Sequence, residues 1–246
     1  MQRYFINEDL ENKKDLILSA DDLHHLKNVM RSKNGDEITC IDINGQVYSC
    51  LIDDVEQGSI KIIKEIGENN ELDVEITLIY ALPKGDKFEL VLQKATELGV
   101  SRIVPLLTQR CVVKTDKIKF EKKLARYQKI LKEAAQQSRR NKIPQIVNVI
   151  KLAEISEYLG TYNLVAYEEK AKRGEHSALK QCLDKLESND KITIIVGSEG
   201  GFEEKEIEMM EALKISSCSL GKRILRSETA PLYMLSVIGY AREIGK

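Results

Sequence analysis

Apolar and polar residues alternate along two early stretches, 37–43 and 46–52, and a third stretch, 59–63, follows closely. A period of two marks half-buried strands, because successive side chains point to opposite faces. Asn44-Gly45 joins the first two and tolerates the positive φ of a two-residue hairpin turn, and Gln57-Gly58 turns the chain into the third. Ahead of the hairpin, Ser19 is placed to cap a helix over 20–31, with Leu23, Leu26, Val29 and Met30 on its inner face. These elements predict a small β-barrel with one helix over residues 1–70, ending in a polar linker at 67–71.

From residue 73 the pattern changes. Strand-like runs at 75–82, 102–107, 145–149, 164–167, 192–196 and 216–220 alternate with helical spacing at 85–99, 118–138, 178–186, 203–213 and 231–244. Phe88, Val91, Leu92, Ala95 and Leu98 share one helix face, and Leu124, Tyr127, Leu131, Ala134 and Ala135 share another. Such alternation predicts an α/β domain over 73–246, with a mainly parallel sheet covered on both sides. No apolar run approaches the roughly 20 residues of a membrane span. The first residues lack the apolar core of a signal peptide, so a cytoplasmic protein is expected.

Charge alters this picture in one place. Lys and Arg number 38 and Asp and Glu 39, yet residues 110–142 hold twelve of the cations against only Asp116, Glu121 and Glu133. A basic stripe on an acidic body is the footprint of a polyanion partner, and equally of a solvated lysine-rich helix. The cysteines Cys40, Cys50, Cys111, Cys182 and Cys218 form no Cys-x-x-Cys pair, and His24, His25 and His176 supply no zinc spacing. Reduced thiols in apolar gaps, and no metal site, are expected.

Two segments near the C-terminus look unlike ordinary connectors. An apolar run ending at Val196 passes into Gly197-Ser198-Glu199-Gly200-Gly201-Phe202, where glycines allow positive φ and close approach of a flat ligand. The second is Leu220-Gly221-Lys222-Arg223-Ile224-Leu225-Arg226-Ser227-Glu228-Thr229-Ala230-Pro231, with Thr229 placed to cap a helix and Pro231 in its first turn. Dinucleotide and phosphate-loop glycine motifs are absent, and Val196 stands where a nucleophile elbow needs glycine. Ser-x-x-Lys occurs at Ser177/Lys180, Ser188/Lys191 and Ser219/Lys222 without any partner motif. Alone, the glycine segment is also compatible with a structural turn.

Taken together, the two segments resemble those of the ribosomal RNA small subunit methyltransferase E family, knotted (SPOUT) enzymes that methylate N3 of a uridine in small-subunit ribosomal RNA. The likeness extends over nearly the whole chain. Residues 81–87 with 93–100 are similar to its first strand–helix unit, and 133–140 with Pro144 to its basic helix end. His25, Leu26, Val29, Met30 and Arg31 resemble its N-terminal helix, and the small barrel its PUA-like RNA-binding domain. Ser198, Cys111 and Tyr127 stand where the family usually has Pro, Ser and Trp.

The resemblance implies a C-terminal trefoil knot and S-adenosylmethionine (SAM) as cofactor. It assigns cofactor binding to Val196, Gly197, Ser198, Glu199, Gly200, Leu220, Gly221, Ile224, Leu225, Thr229 and Ala230. Main-chain groups there would satisfy the adenine edges, with Gly197, Gly200 and Gly221 admitting the approach. Glu199 would pair with a ribose hydroxyl or with the cationic end of the cofactor. Uracil N3 carries a proton and is a poor nucleophile until that proton leaves. Arg226 is therefore expected to stabilise the anion, with Glu228 as base or as the group orienting that arginine. Phosphate contacts would fall to Arg3, Arg31, Lys84, Arg110, Arg139 and Arg140. A homodimer is implied, with Leu232, Leu235, Val237, Ile238 and Tyr240 either its contact face or ordinary core. The rival readings are a knotted RNA methyltransferase acting on a ribose 2′-hydroxyl or another ring nitrogen, and a non-catalytic RNA-binding ribosome assembly factor.

Overall fold

The computed structural model describes residues 2–167 and 178–245, so His176 and Ser177 lie outside the described residues. The chain divides into two compact units, Met1–Glu71 with Ala135–Lys142, and Leu72–Ala134 with Ile143–Lys246. Residues 135–142, which the sequence pattern assigns to the α/β domain, count with the first unit.

In the first unit β1 (Arg3–Phe5), β2 (Asp15–Ile17), β3 (Glu37–Ile41), β4 (Val47–Asp54) and β5 (Ser59–Glu65) form one sheet. The strand order is β1-β3-β4-β5-β2. Only β1–β3 is parallel; the other pairings are antiparallel. Gly45 and Gly58 take φ of +85° and +71° in the two turns, as the hairpin requires. Ile38, Cys40, Cys50, Ile52 and Ile60 pack with Tyr4, Leu16 and Leu26 in a single core. Ser19 caps α1 (Ala20–His24) by accepting from the Asp22 N–H at 3.2 Å. The helix then widens into a π-turn over His25–Val29 and stops at Arg31, whose φ is +52°. Widening shifts the phase of the helical face. Leu26 stays fully buried, whereas Val29 and Met30, expected inside, are 61% and 44% exposed.

Two cations expected to meet phosphate prove structural. Arg3 is buried, with Nη2 2.6 Å from Glu68 and Nη1 donating to the Arg139 carbonyl at 3.0 Å. Arg140 is buried against Glu71, whose Oε1 accepts from Arg140 Nε at 3.2 Å, Asn141 N at 2.8 Å and Lys142 N at 3.0 Å. A guanidinium already neutralised inside the fold is withdrawn from the surface that RNA would touch.

The second unit contains β6 (Glu75–Ala81), β7 (Arg102–Leu107), β8 (Gln145–Ile146), β9 (Ile150–Lys151), β10 (Tyr162–Ala166), β11 (Lys191–Val196) and β12 (Ser216–Cys218). They form one sheet in the order β12-β10-β11-β6-β7-β8, with β9 also on β7, and every described pairing is parallel. Ile76, Leu78 and Tyr80 of β6 face a core shared with α2 (Lys87–Glu97), α3 (Lys117–Gln137), α4 (Ala178–Lys185) and α6 (Thr229–Gly239). Ile79 and Ala81 face the opposite core, with α5 (Glu204–Ala212) and the 3-10 turn Leu152–Tyr158. Phe88 of α2 meets Tyr127 of α3 edge-on at 5.1 Å between ring centres. All five cysteines are buried and unbridged. On α6, Leu235 and Ile238 are core, Leu232 and Val237 are half-buried, and Tyr240, just beyond its end, is 61% exposed. Thr229 is the first residue of α6 rather than its cap; Glu228 holds the cap position and no side chain caps the helix. Because the strands are parallel, the C-terminal ends of β6, β7, β10, β11 and β12 share one edge, where ligands of open α/β sheets bind.

Candidate active site in the α/β unit

Loops from that edge surround a cleft of about 940 Å³. Its lining includes Val196 at the end of β11 and residues 197–202 after it, 219–227 after β12, and Ala230, with Ala166, Tyr167, Lys87 and Arg110. The cleft therefore gathers Val196, Gly197, Ser198, Glu199, Gly200, Leu220, Gly221, Ile224, Leu225, Arg226 and Ala230 in one place. Thr229 is exposed and lies outside this lining.

The glycines serve two different ends. A Cβ on Gly197 would come within 3.1 Å of Gly201 Cα, and one on Gly200 within 2.9 Å of Arg110 Cβ, so these two are glycine because their own chain packs on them. Gly221 has φ of +100° and open space where a Cβ would stand. In the same loop the main-chain N–H groups of Leu220, Ile224 and Leu225 find no acceptor among the described residues. Ile224 is 78% exposed. The loop thus presents unused donors beside apolar side chains, which suits the edge and face of a flat heterocycle.

Electrostatics on the cleft wall centre on a residue to which the sequence reading assigned no role. Lys87 Nζ lies 2.9 Å from Glu199 Oε1 and 3.2 Å from Glu228 Oε2. Glu199 also accepts from the Lys84 main-chain N–H at 3.3 Å. Burial pushes the Glu199 carboxyl up, but Lys87, its own N–H and that of Lys84 outweigh it and hold the group below the ordinary range. Glu228 behaves alike: burial is opposed by its own N–H, Lys87 and Ser227, and the net shift is downward. The two carboxylates raise Lys87 in return. Tyr80 donates to Ser227 Oγ at 3.4 Å, and Ser227 donates to Glu228 at 3.3 Å. Glu228 is thus bonded to Lys87 and Ser227, not to Arg226, which it was expected to orient.

Arg226 is exposed in the cleft, and its carbonyl accepts from the Thr229 and Ala230 N–H groups at 2.9 and 3.0 Å, opening α6. Among the described residues its guanidinium has no hydrogen bond or ion pair. Arg110 donates to the Gly200 carbonyl at 3.1 Å. The preceding residue, Gln109, is held by the buried carboxylate of Glu206, which accepts from Gln109 N at 3.0 Å and Glu203 N at 2.8 Å. Lys84 is exposed in this unit. Arg31 and Arg139 are exposed in the first, both at positive φ, and the Arg139 carbonyl also accepts from Asn70 at 2.9 Å.

Comparison with known proteins bears on this site directly. The family described as an RNA methyltransferase domain matches residues 70–239, and that described as an RNA methyltransferase PUA domain matches 18–65. Ribosomal RNA small subunit methyltransferase E of Bacillus subtilis (strain 168) is 39% identical, over 99% of this chain and 98% of that protein. The chain belongs to the ribosomal RNA small subunit methyltransferase E family. The family member from Neisseria gonorrhoeae, crystallised bound to S-adenosyl methionine, superposes with a TM-score of 0.84 at 30% identity, covering 97% of this chain and 96% of that one. A putative methyltransferase from Legionella pneumophila, in complex with the bound cofactor SAM, gives the same TM-score and identity over 97% of each chain. The methyltransferase E architecture, an RNA methyltransferase domain preceded by a PUA domain, accounts for both sheets described above.

Proposed function

We propose that this chain transfers a methyl group from SAM to N3 of a specific uridine in small-subunit ribosomal RNA, in the cytoplasm. The observation that carries the reading is the single cleft lined by both the glycine loop and the cationic loop, with Arg226 exposed in it. Its volume falls within the roughly 300–1,000 Å³ of small-molecule sites. Leu220, Gly221, Ile224 and Leu225 would hold the adenine by main-chain groups, beside Val196, Ser198 and the residues following. When bound, SAM supplies a methyl group already activated on a sulfonium, so the reaction calls for no metal.

The protein's own task is to favour the uridine anion, whose charge spreads over two carbonyl oxygens. The Arg226 guanidinium, without a competing partner among the described residues, is suited to hold that charge. Glu228 is not assigned the role of base, because its own N–H, Lys87 and Ser227 hold its carboxyl low and weaken its hold on a proton; the N3 proton is assigned to solvent water. Lys84, Arg110, Arg31 and Arg139 are assigned to phosphates. The same reading carries a trefoil knot, for which the insertion of β11 between β10 and β6 is the supporting strand order. It also carries a homodimer, supported by Tyr233 and Tyr240, 39% and 61% exposed in the C-terminal helix and its π-turn.

The test is mass spectrometry of nucleosides from small-subunit RNA and from assembled subunits after incubation with isotopically labelled SAM. Label in 3-methyluridine is expected. Label confined to a 2′-O-methylated nucleoside, or none in either substrate, would overturn the assignment.

A further inference from the structure

We propose that Lys87 is a positioning residue for methyl transfer, holding the glycine loop and the start of α6 in one arrangement through an ammonium shared by Glu199 and Glu228. The proposal rests on the methyltransferase reading of the cleft. Three elements converge on one nitrogen: α2 supplies Lys87, the loop after β11 supplies Glu199 at 2.9 Å, and the cap of α6 supplies Glu228 at 3.2 Å. The lysine is well anchored, since the next residue, Phe88, is buried in the core against Tyr80 and Tyr127. Each carboxylate has a second tether, Glu199 to the Lys84 N–H and Glu228 to Ser227, which in turn accepts from the buried Tyr80.

Removing the ammonium leaves two like charges close together on a wall that is only partly wet, where their repulsion is stronger than in water. While both stay ionised, either loop can relieve it by moving. Glu228 lies two residues after Arg226 in the turn that opens α6, so displacement of the carboxylate carries the guanidinium with it. Among the described residues the titratable neighbours of the pair include Lys87 on α2 and Tyr80 on β6, with Cys111 after β7 near that tyrosine and Arg110 bonded to the carbonyl of Gly200, next to Glu199.

Lys87→Met keeps the length of the stem and removes the charge, while Lys87→Arg keeps the charge. For Lys87→Met the expected loss in kcat/KM is on the order of 10- to 100-fold, mostly in kcat, the scale of a misplaced catalytic group. Uptake of a proton by one carboxyl removes the repulsion, so the pH profile of Lys87→Met should shift, its defect shrinking toward lower pH as carboxyls no longer held low by the cation protonate. Lys87→Arg should recover most of the activity and return the profile. Unchanged kinetics in Lys87→Met, or equal losses in both variants with the profile unmoved, would overturn the proposal. Carbon-13 NMR titration of the Glu199 and Glu228 carboxyls in the free protein supplies a readout that needs no turnover. Both should titrate higher in Lys87→Met, and carboxyls that stay in place reject the clamp. Should the wild-type protein transfer no methyl group, the functional reading falls on that result alone, while the titration still decides the clamp.

Discussion

Ser198 Oγ is the buried side-chain oxygen that, among the described residues, has no hydrogen-bond partner. An unpaired buried hydroxyl costs about 1–3 kcal/mol relative to an apolar group of similar shape. Ser198→Ala should therefore stabilise the free protein by about 1 kcal/mol in denaturant titration. Because the substitution leaves the main chain of the loop in place, SAM affinity by calorimetry should stay within about twofold, less than half a kcal/mol. A much larger loss of affinity would assign the hydroxyl to the ligand. Arg226 presents the opposite case, an exposed cation on which nothing described in the fold depends. Arg226→Ala should leave stability within about 0.5 kcal/mol, as exposed substitutions do. It should cut single-turnover methyl transfer by roughly 100- to 1,000-fold, the usual cost of losing one oxyanion donor, while SAM still binds. Undiminished transfer would remove Arg226 from the chemistry. Both residues were visible in the sequence because each sits inside a contiguous, compositionally odd segment. Lys87 and Glu206 were not, because their meaning comes from partners far along the chain, Glu199 and Gln109, which only the sheet brings near.

Among elements, those long enough to show their period were legible. The strand Arg102–Leu107 and the helices Lys87–Glu97 and Lys117–Gln137 fall within two residues of their expected bounds, because burial of one face dictates the spacing. Three-residue strands such as β1 and β2 are too short to display a period, and the π-turn after α1 changes phase without a sequence signal. The basic end of α3 misled for a related reason: Arg140 reads as a surface cation until Glu71 is seen to enclose it. The neighbouring pair gives a pH test. Glu68 is held below its ordinary range by a hydrogen bond from Asn70, and by Arg3, against the opposing effect of burial. A carboxyl depressed in the folded state adds stability above its unfolded pKa of about 4.3, and that contribution is lost as pH falls through the folded value. Hydrogen-exchange protection of the β1 amides should therefore fall more steeply below about pH 4.3 in the wild type than in Glu68→Gln. Parallel curves would show that the ion pair contributes nothing to the first unit.

For the molecule as a whole, the basic stripe must be judged after its internal partners are counted. Arg140 is withdrawn into the core, and Arg126 is paired with Glu89. Lys117 lies 2.5 Å from Glu154, Lys119 3.7 Å from Asp116 and Lys129 3.9 Å from Glu133. Exposed pairs of this kind are worth at most about 1 kcal/mol and exchange readily for phosphate. Lys122 and Lys123 are exposed on α3 and have no carboxylate partner among the described residues. A solvated helix and a phosphate-binding face differ in what salt does to them. Each phosphate contact releases counterions, so each one lost should lower the slope of log affinity against log salt by about 0.7–0.9. The double variant Lys122→Glu/Lys123→Glu should therefore bind small-subunit RNA more weakly and with a shallower slope, while SAM affinity, set in the cleft, is unchanged. Arg226→Ala should show the converse, losing chemistry with the salt slope kept. A charge-reversed stripe with the wild-type slope would mean that these lysines serve only to keep α3 in water, and that the RNA is held elsewhere.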